Sequence, residues 1–117
     1  MSDKEHNFRS MVSIYSQMLP KIREEGKRLG YAIALHGSMQ RDFDLIAVPW
    51  VEDAVSAEVL VEMIAKEVDG YVIGETHDTG KLDAPTQQPH GRKSWNICWG
   101  GMAFIDLSVT PRQEKQT

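Results

Sequence analysis

The sequence predicts an α+β domain in which a mixed or antiparallel sheet of about five strands carries its helices packed on one face. Two segments repeat apolar residues at three- and four-residue steps, which is typical of amphipathic helices. Short apolar runs bounded by glycine or proline predict strands, and a Gly-Gly pair separates the last two predicted strands. The predicted order is helix, strand, strand, helix, strand, strand, strand, which favours helices gathered on one side of the sheet.

Length and composition point to a single domain over residues 1–117. With 41% hydrophobic and 26% charged residues, the chain has the balance of a soluble globular protein. The formal charge of −4 argues against a nucleic-acid partner, because phosphate recognition needs a concentrated basic patch. The single cysteine, Cys98, excludes an internal disulfide and fits a reducing compartment. We expect a cytoplasmic location without a membrane partner, since no signal peptide or membrane span is recognisable.

The first predicted helix fills the N-terminal third and ends at Gly30. Pro20 lies within it and removes one backbone donor, which predicts a kink or a break into two helices. The core-facing stripe of this helix consists of Phe8, Met11, Val12, Tyr15, Met18, Leu19 and Ile22.

The segments 31–36 and 42–48 are too close in sequence for a parallel crossover, so they predict an antiparallel hairpin. Ser56 is the predicted N-cap of a second helix that closes at Gly70, and a short strand follows at 71–73. The polar stretch 74–91 predicts either a functional lid or a disordered segment.

The last two strands, 94–99 and 102–109, flank Gly100-Gly101 and predict a hairpin with a two-residue turn. In that register Asp106 lies opposite Trp95, and Lys93 lies opposite Ser108. Residues Ala103, Ile105, Leu107 and Val109 form a uniformly apolar face suited to the helices. Asp106 is therefore expected to point away from the helical layer.

Asp42 and Asp44 interrupt an apolar strand and share one of its faces, while Phe43 and Leu45 point to the other. Two carboxylates so close repel each other, and a divalent cation is the simplest compensation. Magnesium binds carboxylate oxygens and keeps waters and substrate phosphates as its other ligands. The alternative is that these acids, like Asp106, are solvated and only aid solubility.

The segments Leu35-His36-Gly37-Ser38, Asp42-Phe43-Asp44-Leu45 and Ile105-Asp106-Leu107 together resemble the signature of the nucleotidyltransferase superfamily that includes DNA polymerase beta. The resemblance covers roughly residues 31–109, and the chain is similar in size to minimal nucleotidyltransferases. Its compact form also resembles small proteins encoded by phages and prophages.

The resemblance implies a site in which Asp42, Asp44 and Asp106 converge on adjacent strands as catalytic metal ligands. They would hold two Mg²⁺ or Mn²⁺ ions, and Asp106 would also help to activate an acceptor hydroxyl. Gly37 would let the backbone approach a nucleoside triphosphate, and Ser38 would donate to a phosphate oxygen. Arg41 and Lys93 are further nucleotide-binding candidates, with surface solubility as the other interpretation of both.

One departure from the family pattern leaves two functions open. The family normally places a longer segment with the first turn of a helix before the first aspartate, whereas only Met39-Gln40-Arg41 separate Ser38 from Asp42. The first function is magnesium-dependent transfer of a nucleoside monophosphate from a triphosphate to a hydroxyl of an unknown protein or small-molecule acceptor. In this interpretation a partner subunit could supply the acceptor site, as in the minimal members that the chain resembles. The second is a non-catalytic binding or regulatory module with a degenerate triphosphate site.

Two further interpretations concern other residues. An exposed face of the domain is a candidate homo-oligomer interface, anchored by Trp50, Trp95 and Trp99. His36, His77 and His90 show no short ligand spacing, which argues against a transition-metal site.

Overall fold

The computed structural model of the protein describes residues 3–36, 43–73, 86–87, 89–99 and 103–112. Within these ranges it contains two α-helices, a short 3₁₀ turn at Pro89–Gly91 and six strands. The helices are α1 (Asp3–Arg28) and α2 (Ala57–Glu67). The strands are β1 (Tyr31–Leu35), β2 (Phe43–Pro49), β3 (Tyr71–Val72), β4 (Thr86–Gln87), β5 (Lys93–Trp99) and β6 (Ala103–Val109).

The strands form one mixed sheet in the order β1-β2-β6-β5-β3, with β4 also paired to β5. The β2–β6 pair is parallel, and the other pairs are antiparallel. The predicted α+β class, the mixed sheet and the β1–β2 hairpin are therefore confirmed. Strand β4 was not predicted, because its two exposed polar residues in a turn-rich stretch carry no strand pattern.

Helix α1 continues through Pro20, which excludes a break into two helices, whereas the alternative of a kink at Pro20 stays a prediction. Pro20 and Ser16 are both exposed. Pro20 has no N–H to donate to the carbonyl of Ser16. Because both residues are exposed, this carbonyl can accept a hydrogen bond from water instead. The core-facing stripe is confirmed where side chains are described, because Tyr15 and Ile22 are fully buried.

The ends of the helices follow the predicted signals. The Ser56 side chain accepts a hydrogen bond from the Val59 N–H at 3.3 Å and caps α2 as expected. Gly30 lies just beyond α1 with φ of +97°, a conformation that side chains disfavour. A Cβ atom there would lie 2.7 Å from the Cα of Ala54, so this turn requires glycine for two reasons.

One hydrophobic core lies between the helices and the sheet. In the central strands the buried residues alternate, with Phe43 and Leu45 on β2 matching Ile105 and Leu107 on β6. Residues at alternate positions share a face, so the buried positions define one side of the sheet. Both helices pack on that side, as the sequence predicts, and α2 contributes Leu60, Val61, Ile64 and Ala65.

The hairpin of β5 and β6 has a different register from the one predicted. Trp99 pairs with Ala103, which leaves three residues, 100–102, between the strands instead of two. Asp106 therefore lies opposite Asn96, and Trp95 lies opposite Leu107 with 5% of its surface exposed. The predicted Trp95–Asp106 pairing is wrong, because a one-residue slip exchanges the faces of a strand and burial of Trp95 outweighs the local turn signal.

Two other expectations can be compared with the structure only over the described residues. The predicted lid or disordered segment at 74–91 lies outside it except for β4 and residues 89–91. No helix in the described ranges is both long and apolar enough to cross a membrane.

Candidate carboxylate site on the open face of the sheet

The side of the sheet away from the helices is referred to below as the open face. Its central positions are polar, whereas the corresponding positions of the other face are apolar. In order from β1 to β3, it is defined by Ala32, Ala34, Asp44, Ile46, Val48, Phe104, Asp106, Ser108, Ser94, Asn96, Cys98 and Tyr71.

Asp44 and Asp106 are direct partners across the parallel pair of β2 and β6. Neighbouring strands are about 4.8 Å apart, and paired residues project to the same face. Both aspartates are half-buried on the open face, above a layer of fully buried apolar residues. The predicted proximity of these two acids, and their orientation away from the helices, are confirmed. Their metal-binding role stays a prediction.

The pairing follows from a matching pattern in the two strands. The sequence Phe43-Asp44-Leu45 aligns position by position with Ile105-Asp106-Leu107. Burial of the apolar residues on both sides of each aspartate turns both carboxylates outward. A slip of one residue would exchange the faces of one strand and put a carboxylate into the core, so this register is strongly specified.

Asn96 extends the row of polar side chains onto β5, where it lies directly opposite Asp106 and is exposed. Its amide adds a carbonyl oxygen and an NH₂ group beside the two acids. Sequence reasoning missed Asn96 because the predicted register placed Trp95 there. The available signal was the alternation of the apolar Trp95 and Ile97 around it, which predicts an outward Asn96.

On the other side of Asp44, the backbone of His36 continues the β1–β2 ladder. The His36 N–H donates to the carbonyl oxygen of Asp44 at 2.7 Å, and the His36 side chain is exposed. Within the described ranges, no three His, Cys, Asp or Glu side chains lie close enough together to hold a metal ion. The described portion of the candidate site is therefore a pair of carboxylates and one amide.

The structure brings only part of the predicted set together. Asp42, Gly37, Ser38 and Arg41 lie outside the described residues. Lys93 is exposed opposite Val109, on the face of β5 that Trp95 and Ile97 share, so it does not join the carboxylates. The predicted pairing of Lys93 with Ser108 is wrong for the same register reason.

Of the three tryptophans predicted as interface anchors, Trp50 is 60% exposed and Trp95 is buried in the core. The Trp99 side chain lies outside the described residues. Burial of Trp95 therefore excludes it as a surface anchor, while Trp50 remains available.

A cleft of about 540 Å³ lies between the start of α2 and the end of β6, and neither Asp44 nor Asp106 lines it. Its lining includes Tyr31, Ser56, Glu58, Lys93 and Arg112. The Tyr31 hydroxyl donates to the Val55 carbonyl at 2.7 Å, and burial raises the pKa of Tyr31. The guanidinium group of Arg112 donates to the carbonyls of Glu52 and Ala54. These contacts connect the chain after β6 to the loop before α2.

In comparisons with known proteins, no family model, curated protein or solved structure matches this chain. The class of protein is therefore defined by architecture and site alone. Over the residues that the structure describes, it is an α+β domain with two helices, a mixed six-stranded open sheet and paired carboxylates on the open face.

Proposed function

We propose that this protein is a nucleotidyltransferase-like domain that uses Mg²⁺ or Mn²⁺ to transfer a nucleoside monophosphate from a triphosphate to a hydroxyl group of an acceptor. The observation that carries the proposal is the direct pairing of Asp44 with Asp106 on the open face. The acidic net charge favours a protein or small-molecule acceptor over a nucleic acid.

The chemistry of the two side chains fits a hard divalent cation. Their oxygens are the donors that magnesium prefers, and their half-buried position leaves access for water and phosphate oxygens. Cys98, the only thiol in the sequence, is buried, so it does not compete for the cation. When bound, the cation would neutralise charge that develops on the phosphates.

The residues of the chain have distinct parts in this proposal. Asp44 and Asp106 would hold the cation, and Asp106 would accept the proton of the acceptor hydroxyl as that oxygen bonds to the α-phosphorus and pyrophosphate leaves. Asp42 is two positions before Asp44 in sequence and is the proposed third acid. The resemblance assigns Gly37 and Ser38 to the triphosphate. Lys93 is omitted from the phosphate contacts because it faces away from Asp106.

The test is calorimetric titration of the protein with MnCl₂, followed by ATP, GTP, CTP and UTP in the presence of the metal. Asp44→Asn and Asp106→Asn keep the side-chain shape and remove one charge each, so we expect both to lose metal and triphosphate affinity. Asp69→Asn is the matched control, because Asp69 is exposed with φ of 56°, a conformation that asparagine also tolerates. Equal affinity in all four proteins would contradict the proposal.

A non-catalytic binding or regulatory module is the second candidate. It is favoured by the short Met39-Gln40-Arg41 segment between Ser38 and Asp42, which is shorter than the family pattern that the chain resembles. Metal binding that depends on Asp44 and Asp106, without affinity for any triphosphate, would support this module and exclude the transferase.

A further inference from the structure

Strand β1 forms one border of the sheet, and no strand in the described ranges pairs with its outer edge. The His36 N–H donates to Asp44, and the Trp50 N–H donates to Gly30. Antiparallel strands exchange hydrogen bonds at every second residue, so even-numbered residues of β1 direct their backbone groups toward β2. The N–H and C=O groups of Tyr31, Ile33 and Leu35 therefore point outward.

Strand β1 itself carries no charged side chain, proline or bulge that would prevent edge-to-edge pairing. Natural edge strands are protected by charged side chains, proline or a bulge. The sequence of β1 is Tyr-Ala-Ile-Ala-Leu, and its five residues pair with β2 without interruption. Ala32, Ala34 and Leu35 are exposed, so the exposed side chains of the strand itself are all small or apolar.

A groove of about 540 Å³ runs beside this edge. Tyr31, Ala32 and Ile33 contribute strand β1 to its lining. Arg23, Glu24 and Lys27 of α1, together with the exposed Trp50, complete the lining. The groove thus combines the outer edge of β1, with which no described strand pairs, and a rim that carries both signs of charge.

We propose that a second copy of this chain pairs antiparallel with β1 and joins the two sheets into one continuous sheet. A two-fold axis at Ile33 places Ile33 opposite its own copy and Tyr31 opposite Leu35 of the second copy. These are the residues whose backbone groups point outward, so donors and acceptors on the two edges match. The same axis places Ala32 opposite Ala34, where small side chains avoid a clash.

The charges beside the groove favour a second copy over an unrelated extended peptide. Gly26 of α1 packs against Ile33, since a Cβ on Gly26 would lie 2.4 Å from the Ile33 Cδ1 atom. The two-fold axis at Ile33 therefore brings the two α1 helices together antiparallel near Gly26. Glu24 of each copy then approaches Lys27 of the other, which gives two attractive contacts related by symmetry.

The test is sedimentation velocity of the full chain over a concentration series, where we expect a reversible dimer. Ala32→Lys combined with Ala34→Lys places like charges opposite each other twice, which is destabilising across a strand pair. We expect the dimer dissociation constant to rise at least about tenfold. Circular dichroism and thermal unfolding check that the fold persists, as exposure of both alanines predicts.

The matched control combines Ala32→Lys with Ala34→Glu, which places opposite charges at the same two contacts and is expected to retain the dimer. In the wild type, hydrogen exchange of the Ile33 and Leu35 amides should slow as concentration rises. A wild-type chain that stays monomeric up to about millimolar concentration would overturn the proposal. Equal weakening of the dimer by both double variants would overturn it as well.

Discussion

The ring of Tyr15 on α1 stacks on the ring of Phe43 on β2, with centroids 4.6 Å apart and planes inclined by 19°. Both side chains are fully buried. Phe43 directly precedes Asp44, so the stacked pair packs α1 against β2 at the residue next to the candidate metal ligand. Burial of Phe43 on the helical side leaves Asp44 on the open face.

Removing the Phe43 ring is expected to destabilise the domain strongly. Phe43→Ala loses the stacked contact and leaves a cavity against Tyr15, which costs about 3–5 kcal/mol of unfolding free energy. Phe104→Ala is the matched control, because Phe104 is 39% exposed on the open face and should cost less than about 1.5 kcal/mol. Urea denaturation measures both values, and similar losses would contradict the assigned burial.

Replacement of Arg112 tests the connection between the end of β6 and the loop before α2. Arg112→Ala removes hydrogen bonds to Glu52 and Ala54 and is expected to cost about 1–2 kcal/mol, because these bonds are partly exposed. Arg112→Lys should restore only part of this, since an ammonium group lacks the planar fork that reaches both carbonyls. Lys21→Ala removes an exposed charge on α1 as the control. An equal effect of Lys21→Ala would indicate a general charge effect.

Tyr31 is expected to make stability depend on alkaline pH. Burial raises the pKa of Tyr31, an effect that Arg112 partly opposes, and its hydroxyl donates to Val55. The folded state therefore holds this proton more tightly than the unfolded state does. The resulting stabilisation is complete below the unfolded tyrosine pKa of about 10 and is lost as pH rises through the higher folded value.

The measurement for Tyr31 is the difference in unfolding free energy between the wild type and Tyr31→Phe from pH 7 to 11. We expect a loss of about 0.5–1.5 kcal/mol at neutral pH, from the hydrogen bond to Val55. The difference should shrink above pH of about 10. Tyr71, which lies at the opposite end of the sheet and whose pKa is raised chiefly by its hydrogen bond with Cys98, titrates in both proteins, so its contribution cancels. A difference that does not change with pH would contradict the prediction.

The N-cap of α2 offers a test of local helix stability. Ser56→Ala removes the acceptor for the Val59 N–H and is expected to cost about 1 kcal/mol. Ser56→Asp retains an acceptor and places a negative charge at the positive end of the helix dipole, so it should match or exceed the wild type. Thermal unfolding of the three proteins compares them, and equal stability of the serine and alanine forms would exclude a contribution from the cap.

Local patterns in the sequence were sufficient for several features. The stop at Gly30, the cap at Ser56 and the β1–β2 hairpin depend on residues that are near each other in the chain. The outward orientation of Asp44 and Asp106 also followed from alternation within each strand. Such short-range signals report which side chains share a face, whatever the rest of the fold does.

The register of the β5–β6 hairpin could not be predicted from local patterns. Gly100-Gly101 is a strong local turn signal, but the folded chain places three residues between the strands. The whole sheet decides this register, because Trp95 and Ile97 gain more from burial beneath the helices than a two-residue turn can supply. This register places Asn96 beside Asp106 and separates Lys93 from Asp106.

The sequence by itself determined that Asp44 and Asp106 each interrupt an apolar strand and face away from its buried side. Only the tertiary structure decided that these two strands are parallel neighbours in matching register. The reason is physical: side-chain alternation is a property of one strand, whereas pairing between distant segments depends on which arrangement buries the most apolar surface of the entire domain.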